Sequence, residues 1–188
     1  GWKREDCDGV TIATVAEEAG VAMLSVHGRT RADKYMGDAE YDTIAAIKQA
    51  VSIPVLANGD ITSPEKARRV FEHTGCDGIM VGRGAHGRPW LFREIQHYLR
   101  TRDLLPPPNL AEQRDIVLRH LGSLHAFYGP DLGVRFSRKH LGWYADYLPE
   151  GQALSRQFNT LINADQQIRL VSEYFLRRAD SRWPDAAA

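Results

Sequence analysis

Two short apolar runs in the middle of the chain, Ile53-Pro54-Val55-Leu56-Ala57 and Gly78-Ile79-Met80-Val81, each break into a glycine-containing turn that leads to a helix. Apolar runs this short, without polar alternation, are typical of strands covered on both faces in a parallel sheet. Parallel strands need helical crossovers, so the alternation commits the first hundred residues to right-handed strand–helix units. The turns are Asn58-Gly59-Asp60 and Gly82-Arg83-Gly84. Side by side, they would present backbone N–H groups on one face, an arrangement that suits a phosphate.

An earlier unit has the same form. A helix is expected from Asp8 to Ala19, carrying Val10, Ala13 and Ala16 inward and stopping at Gly20. Strand Val21–Val26 follows and ends in His27-Gly28-Arg29, and a helix over 39–50 places Ile44, Ile47 and Val51 on one stripe. Ser63-Pro64-Glu65 reads as a helix start: an N-cap, a proline at the first position and an acid at the positive end of the dipole. Ala67, Val70 and Phe71 form that helix's inner face, and another helix begins near Pro89-Trp90. Three strands cannot close a barrel, which needs about eight. A missing N-terminal half is therefore expected, and the chain opens on Gly1-Trp2-Lys3 instead of methionine.

Leu104-Leu105-Pro106-Pro107-Pro108 is a stiff linker that no helix crosses. Beyond it the period is helical throughout. Val117, Leu121, Leu124 and Tyr128 form one expected core stripe, Phe136, His140, Trp143 and Tyr147 a second, and Ile168, Val171 and Phe175 a third. The fold class expected is α/β plus all-α: the C-terminal part of a TIM-type (β/α) barrel over 1–103, the linker over 104–109, a small helical bundle over 110–180 and a frayed tail over 181–188.

Apolar content of 43% with 26% charged residues gives the chain a core. Lys plus Arg (24) equals Asp plus Glu (24), so net charge argues for no partner class and only local clusters can. Cys7 and Cys76 form no disulfide or metal framework, which points to a reducing, cytoplasmic setting; both are read as structural or incidental. No metal site and no membrane span are expected, because no apolar run approaches the roughly 18 residues that a span needs.

His27 ends a strand at the side where barrel active sites lie. It either reaches a cofactor or only hydrogen-bonds neighbouring backbone, and its position favours the cofactor. Asn58-Gly59-Asp60 alone is equally a simple tight turn. With Gly82-Arg83-Gly84 after the next strand, one anion bridging both loops becomes the better account, and Arg83 can fork onto phosphate oxygens. Arg135, Arg138 and Lys139 fall at i, i+3 and i+4. Spacing alone favours a solvated face there, and the alternative is a strip that follows nucleic-acid phosphates. No paired carboxylates, nucleophile elbow or zinc spacing appears.

In order, Val26-His27-Gly28-Arg29-Thr30-Arg31, Tyr35, Gly37, Pro54-Val55-Leu56-Ala57-Asn58-Gly59-Asp60, Gly82-Arg83-Gly84-Ala85, Gly87-Arg88-Pro89-Trp90, Arg138-Lys139-His140 and Trp143-Tyr144 resemble the tRNA-dihydrouridine synthases, best the bacterial B-type branch. The resemblance runs from about Gly1 to Phe175 and covers the C-terminal portion of that architecture. It implies an FMN enzyme whose flavin is reduced by NADPH. Hydride passes between flavin and C6 of a tRNA uridine, and a cysteine on an earlier barrel loop protonates C5. It further implies that His27, Asn58, Gly59, Asp60, Gly82 and Arg83 hold the cofactor, and that Arg29, Arg31, Arg135, Arg138 and Lys139 meet tRNA. The full-length protein is expected to be monomeric. Ala32-Asp33-Lys34 stands where the family more often has Gln, and His86 also stands where Gln is usual. Neither Cys7 nor Cys76 matches the catalytic cysteine, so this chain is expected to be inactive alone. Two other functions compete: an FMN-barrel oxidoreductase for a small molecule, against which the helical region argues, and a non-catalytic RNA-binding module.

Overall fold

Strand pairing fixes the first half of the chain. The computed structural model describes residues 1, 3, 8–34 and 36–180; Cys7, Tyr35 and the tail 181–188 expected to fray lie outside them. The chain divides into two units. The first holds residues 1–85 and 90–105, and the second holds His86–Pro89 and the chain from Pro106 onward.

In the first unit, Leu24–His27 (β1), Val55–Asn58 (β2) and Gly78–Met80 (β3) form one parallel sheet in the order β1-β2-β3. Its helices are Gly9–Glu18 (α1), Asp42–Ala50 (α2), Pro64–Thr74 (α3) and Leu91–Thr101 (α4). The expected start of α3 is present: Ser63 Oγ accepts a hydrogen bond from the Lys66 N–H at 3.1 Å, with Pro64 at the first helical position. Alternation along the strands sends Leu24, Val26, Val55, Ala57 and Ile79 into a core with Ile44, Ile47, Ala67, Val70, Leu91 and Ile95. Each fully buried Ile, Val or Leu contributes about 1.5–3 kcal/mol. The opposite face carries Ser25, His27, Leu56, Asn58 and Met80, of which Ser25, His27 and Met80 are exposed.

β1 is shorter than expected. Its ladder begins where Leu24 N–H donates to the Pro54 carbonyl at 2.9 Å, and Val21 and Met23 upstream are exposed. Val10, expected on the inner face of α1, is also exposed, leaving Ala13 as the buried contact.

The second unit holds Leu110–Ala145 (α5), Gly151–Thr160 (α6) and Ala164–Asp180 (α7), with α5 packed on both others. Asn109 and Glu112 form a reciprocal capping box at the start of α5. The helix is broken at Gly129, whose φ of 78° is left-handed, and Pro130 follows with no N–H to donate. The two arms then fold back on each other. A Cβ on Gly133 would lie 2.8 Å from His125 Cα, although eight residues of continuous helix span about 12 Å. Gln167, fully buried, ties the crossing to α7: its Oε1 is 2.9 Å from His125 Nε2, and its Nε2 donates to the Val134 carbonyl at 3.2 Å.

This crossing overturns one expectation. Phe136 and Tyr147 are exposed and Trp143 is half-buried, although their stripe reads as core; Tyr128 is exposed as well. The buried face of the second arm is instead Val134, Ser137, Leu141, Tyr144 and Ala145. Gly133 and Ser137, one turn apart, are the small residues that permit close approach, which the aromatic stripe would prevent. Gly133→Ala is therefore expected to lower stability by about 1–3 kcal/mol through overpacking. Gly122→Ala, where a Cβ meets nothing within 4 Å, is expected to raise it by about 0.8–1 kcal/mol. Urea denaturation of both variants checks the pair.

Candidate cofactor site and RNA-facing residues

In the first unit, the parallel register aligns His27 with Asn58 and Asn58 with Met80, so three strand ends finish at one edge of the sheet. His27 Nδ1 lies 3.3 Å from the Asn58 carbonyl, and the ring is exposed. The two glycine turns sit against each other beyond this edge. Gly84 packs on the carbonyl of Ile61 so closely that a Cβ would collide with it, whereas a Cβ on Gly82 meets nothing within 4 Å.

Asp60 organises the first turn. It has a left-handed φ of 47°, and the preceding Gly59, at 134°, is a conformation reserved for glycine. A Cβ on Gly59 would also stand 2.6 Å from Ala39 Cβ. Arg29 grips the Asp60 carboxylate at two points: Nη1 to Oδ1 at 3.0 Å and Nη2 to Oδ2 at 2.6 Å. Its Nη2 also donates to the Gly37 carbonyl, the Ala39 N–H donates to Asp60 Oδ2 at 2.8 Å, and the Tyr41 hydroxyl donates to the Gly59 carbonyl. Arg83 reaches the same carboxylate more loosely, at 3.4 Å, with its side chain 57% exposed. The hydrogen bond from Arg29 holds the Asp60 carboxyl below its ordinary range against the opposing effect of burial. The Arg29 guanidinium is in turn raised by Asp60.

The side chain of Arg29, expected to contact RNA, is only 3% exposed, and its guanidinium is committed to Asp60. The backbone at Gly37 and Ala39 and the Tyr41 hydroxyl belong to this cluster without having been expected there. Their one sequence signal is indirect, a turn glycine in a loop long enough to return to the strand end. Arg31 is exposed, with its backbone N–H on the Gly1 carbonyl at 3.3 Å.

In the second unit, Arg135 and Lys139 are exposed on the outer arm of α5. Arg138 turns inward, and its Nη2 donates to the Leu161 carbonyl at the end of α6 at 3.1 Å, where a cation complements the helix dipole. Lys139 Nζ stands 5.0 Å from the Trp143 ring centre, and His86 stacks on that ring at 3.7 Å with an 11° tilt. His140 meets Trp143 and His120 edge-on. His120 Nδ1 is 3.0 Å from the Tyr144 hydroxyl, whose pKa burial pushes up to about 12. Burial also lowers the pKa of both His120 and His140. Among the described residues no group of His, Cys, Asp and Glu is placed to hold a metal ion, and no helix is long and apolar enough to cross a membrane.

Removing the Asp60 charge strands a buried guanidinium, so Asp60→Asn is expected to cost on the order of 3 kcal/mol. A carboxyl held low in the folded state adds stability above its unfolded pKa and loses it as pH falls through the folded value. The wild-type chain is therefore expected to lose stability on acidification below the ordinary carboxylate range. The loss should be smaller in Asp60→Asn, and denaturant titrations from neutral pH downward measure it.

Residues 1–180 match the family model described as dihydrouridine synthase (Dus). Relatives named tRNA-dihydrouridine synthase B include the Pseudomonas aeruginosa protein, 57% identical over 96% of this chain and 54% of its own length. The Pseudomonas putida protein is 58% identical with the same coverage, and that of Shewanella oneidensis is 57% identical over 93% of this chain and 54% of its own length. The chain thus spans about half the length of the curated relatives it matches. With a mixed α/β first unit, a helical second unit and a family match over nearly every residue, the chain belongs to the dihydrouridine synthase family.

Proposed function

We propose that the full-length protein is a tRNA-dihydrouridine synthase, an FMN-dependent oxidoreductase that uses NADPH to reduce uridines of tRNA to 5,6-dihydrouridine. Residues 1–103 are then the C-terminal part of its TIM-type barrel, 104–109 the linker and 110–180 a small helical bundle that binds tRNA. Family membership supports the reaction. The observation that carries the site is the meeting of two glycine turns beyond the aligned ends of β1, β2 and β3.

The residues fit a flavin phosphate. Space beside Gly82 is open, and Arg83 is more than half exposed next to it. Arg29 already pairs the Asp60 carboxylate from the buried side, so the exposed Arg83 guanidinium is the cation an arriving anion meets. Asp60 acts by positioning Arg83, since a carboxylate repels phosphate directly. Asn58, Gly59 and Gly82 bring backbone close to the cofactor, and His27 faces it from the neighbouring strand end. Bound flavin would supply the hydride exchange with C6 of the target uridine. The base leaves the RNA stack to reach it. Arg31, Arg135 and Lys139 meet the tRNA backbone, and within the second unit Arg138 fixes the end of α6. The catalytic cysteine belongs to a barrel loop outside this sequence, so this chain alone forms no dihydrouridine.

In full-length protein, Arg83→Ala is expected to weaken FMN binding by about 1.5–3 kcal/mol, the worth of a charge-assisted pair. Unchanged affinity in a flavin titration would remove Arg83 from the site. His27→Ala is expected to impair flavin binding or turnover at unaltered thermal stability; a collapse in melting temperature would make His27 a structural residue.

A further inference from the structure

Three exposed aromatic rings, Phe127, Tyr128 and Phe136, gather at the break in α5. Phe127 is 81% exposed, Tyr128 43% and Phe136 44%. Tyr128 and Phe136 are eight residues apart, yet the break brings their ring centres to 4.6 Å, and Phe127 lies 4.9 Å from Tyr128. The rings meet edge-on or tilted instead of stacking face to face, and all three are exposed. Leu132, Arg135, Phe136 and Lys139 continue one exposed stripe of the outer arm at helical spacing. Arg135 pairs with no carboxylate among the described residues, and Asp131 is the arm's one acid against Arg135, Arg138 and Lys139. Trp143 lies outside the cluster, because His86 already covers its face.

We infer that Phe127, Tyr128 and Phe136 form a stacking platform for an unpaired nucleotide of an RNA, with Arg135 on the adjoining phosphate; this rests on reading the second unit as RNA-facing. An apolar protein partner would bury Arg135 without a counter-charge, at a penalty. A nucleotide satisfies both features, its base on a ring and its phosphate on the guanidinium. The nucleotide is unpaired because bases inside an A-form helix expose no face.

The test uses the full-length protein with two probes: a short single-stranded RNA carrying one 2-aminopurine, and an RNA duplex of equal length. Binding is expected to quench the 2-aminopurine. Phe127→Leu and Phe136→Leu, both at exposed positions, should each weaken single-strand binding about tenfold, abolish the quench and leave duplex affinity unchanged. Arg135→Gln should weaken both complexes and reduce the salt slope by roughly one. Equal weakening on duplex, a quench that survives both leucine variants, or a dimer in sedimentation that those variants dissociate would each overturn the platform. If both RNAs bind and the leucine variants change nothing, the platform falls while the RNA-facing reading stands. If neither RNA binds, that reading falls and the platform with it.

Discussion

A guanidinium withdrawn from water must meet a counter-charge, and the site in the first unit is organised around that demand. Arg29, its side chain 3% exposed, finds the counter-charge in Asp60, which belongs to the turn after the neighbouring strand. The pair spans two strand ends, and the bonds from Ala39 N–H and to the Gly37 carbonyl bind the intervening loop to the same point. An uncompensated buried charge costs several kcal/mol. The geometry is therefore fixed before any ligand arrives. It also holds the left-handed backbone at Gly59 and Asp60, strained conformations that persist only where surrounding contacts over-determine them. Arg83 shares the carboxylate from its exposed side.

The second unit depends on a steric constraint instead. Gly129 and Pro130 stop one helix and start another, and Gly133 and Ser137 let the new arm lie against the old. That choice of inner face determines the outer one. With small residues and Leu141 inward, Phe136 and Arg135 must point away from the core. The break then carries Phe127 and Tyr128 to the same place, so one backbone feature produces both the packing and the exposed aromatic group.

What was legible in the sequence follows from which signals are local. Ser63-Pro64-Glu65 announced a helix start, and the apolar runs at Ile53 and Gly78 announced parallel strands, because capping and burial on both faces leave marks on consecutive residues. The strand-end position of His27 and Asn58 was equally readable. The burial of Arg29 was not legible, because its partner is thirty-one residues away and a basic residue in a loop carries no sign of its own burial. The aromatic stripe misled for another reason. Helical spacing states which residues share a face and says nothing of which face a neighbour can approach. Gly133 held that information, but its use depended on the reversal at Gly129.

Four arginines make the point general. Arg29 and Arg138 are both drawn inward, one onto a carboxylate and one onto the carbonyl that ends α6, and both serve the fold. Arg83 and Arg135 are exposed, one sharing a carboxylate already satisfied by Arg29 and one without a carboxylate partner. Arg29, held on its carboxylate by two bonds in a dry setting, has little to gain from a phosphate. An exposed guanidinium in water gives up less on turning to one. Burial and competing partners therefore divide the arginines this chain draws inward from those it leaves exposed, whichever motif each belongs to. On the function proposed above, phosphate recognition in the first unit centres on Arg83 and in the second on Arg135, with Arg29 and Arg138 serving the fold beneath them.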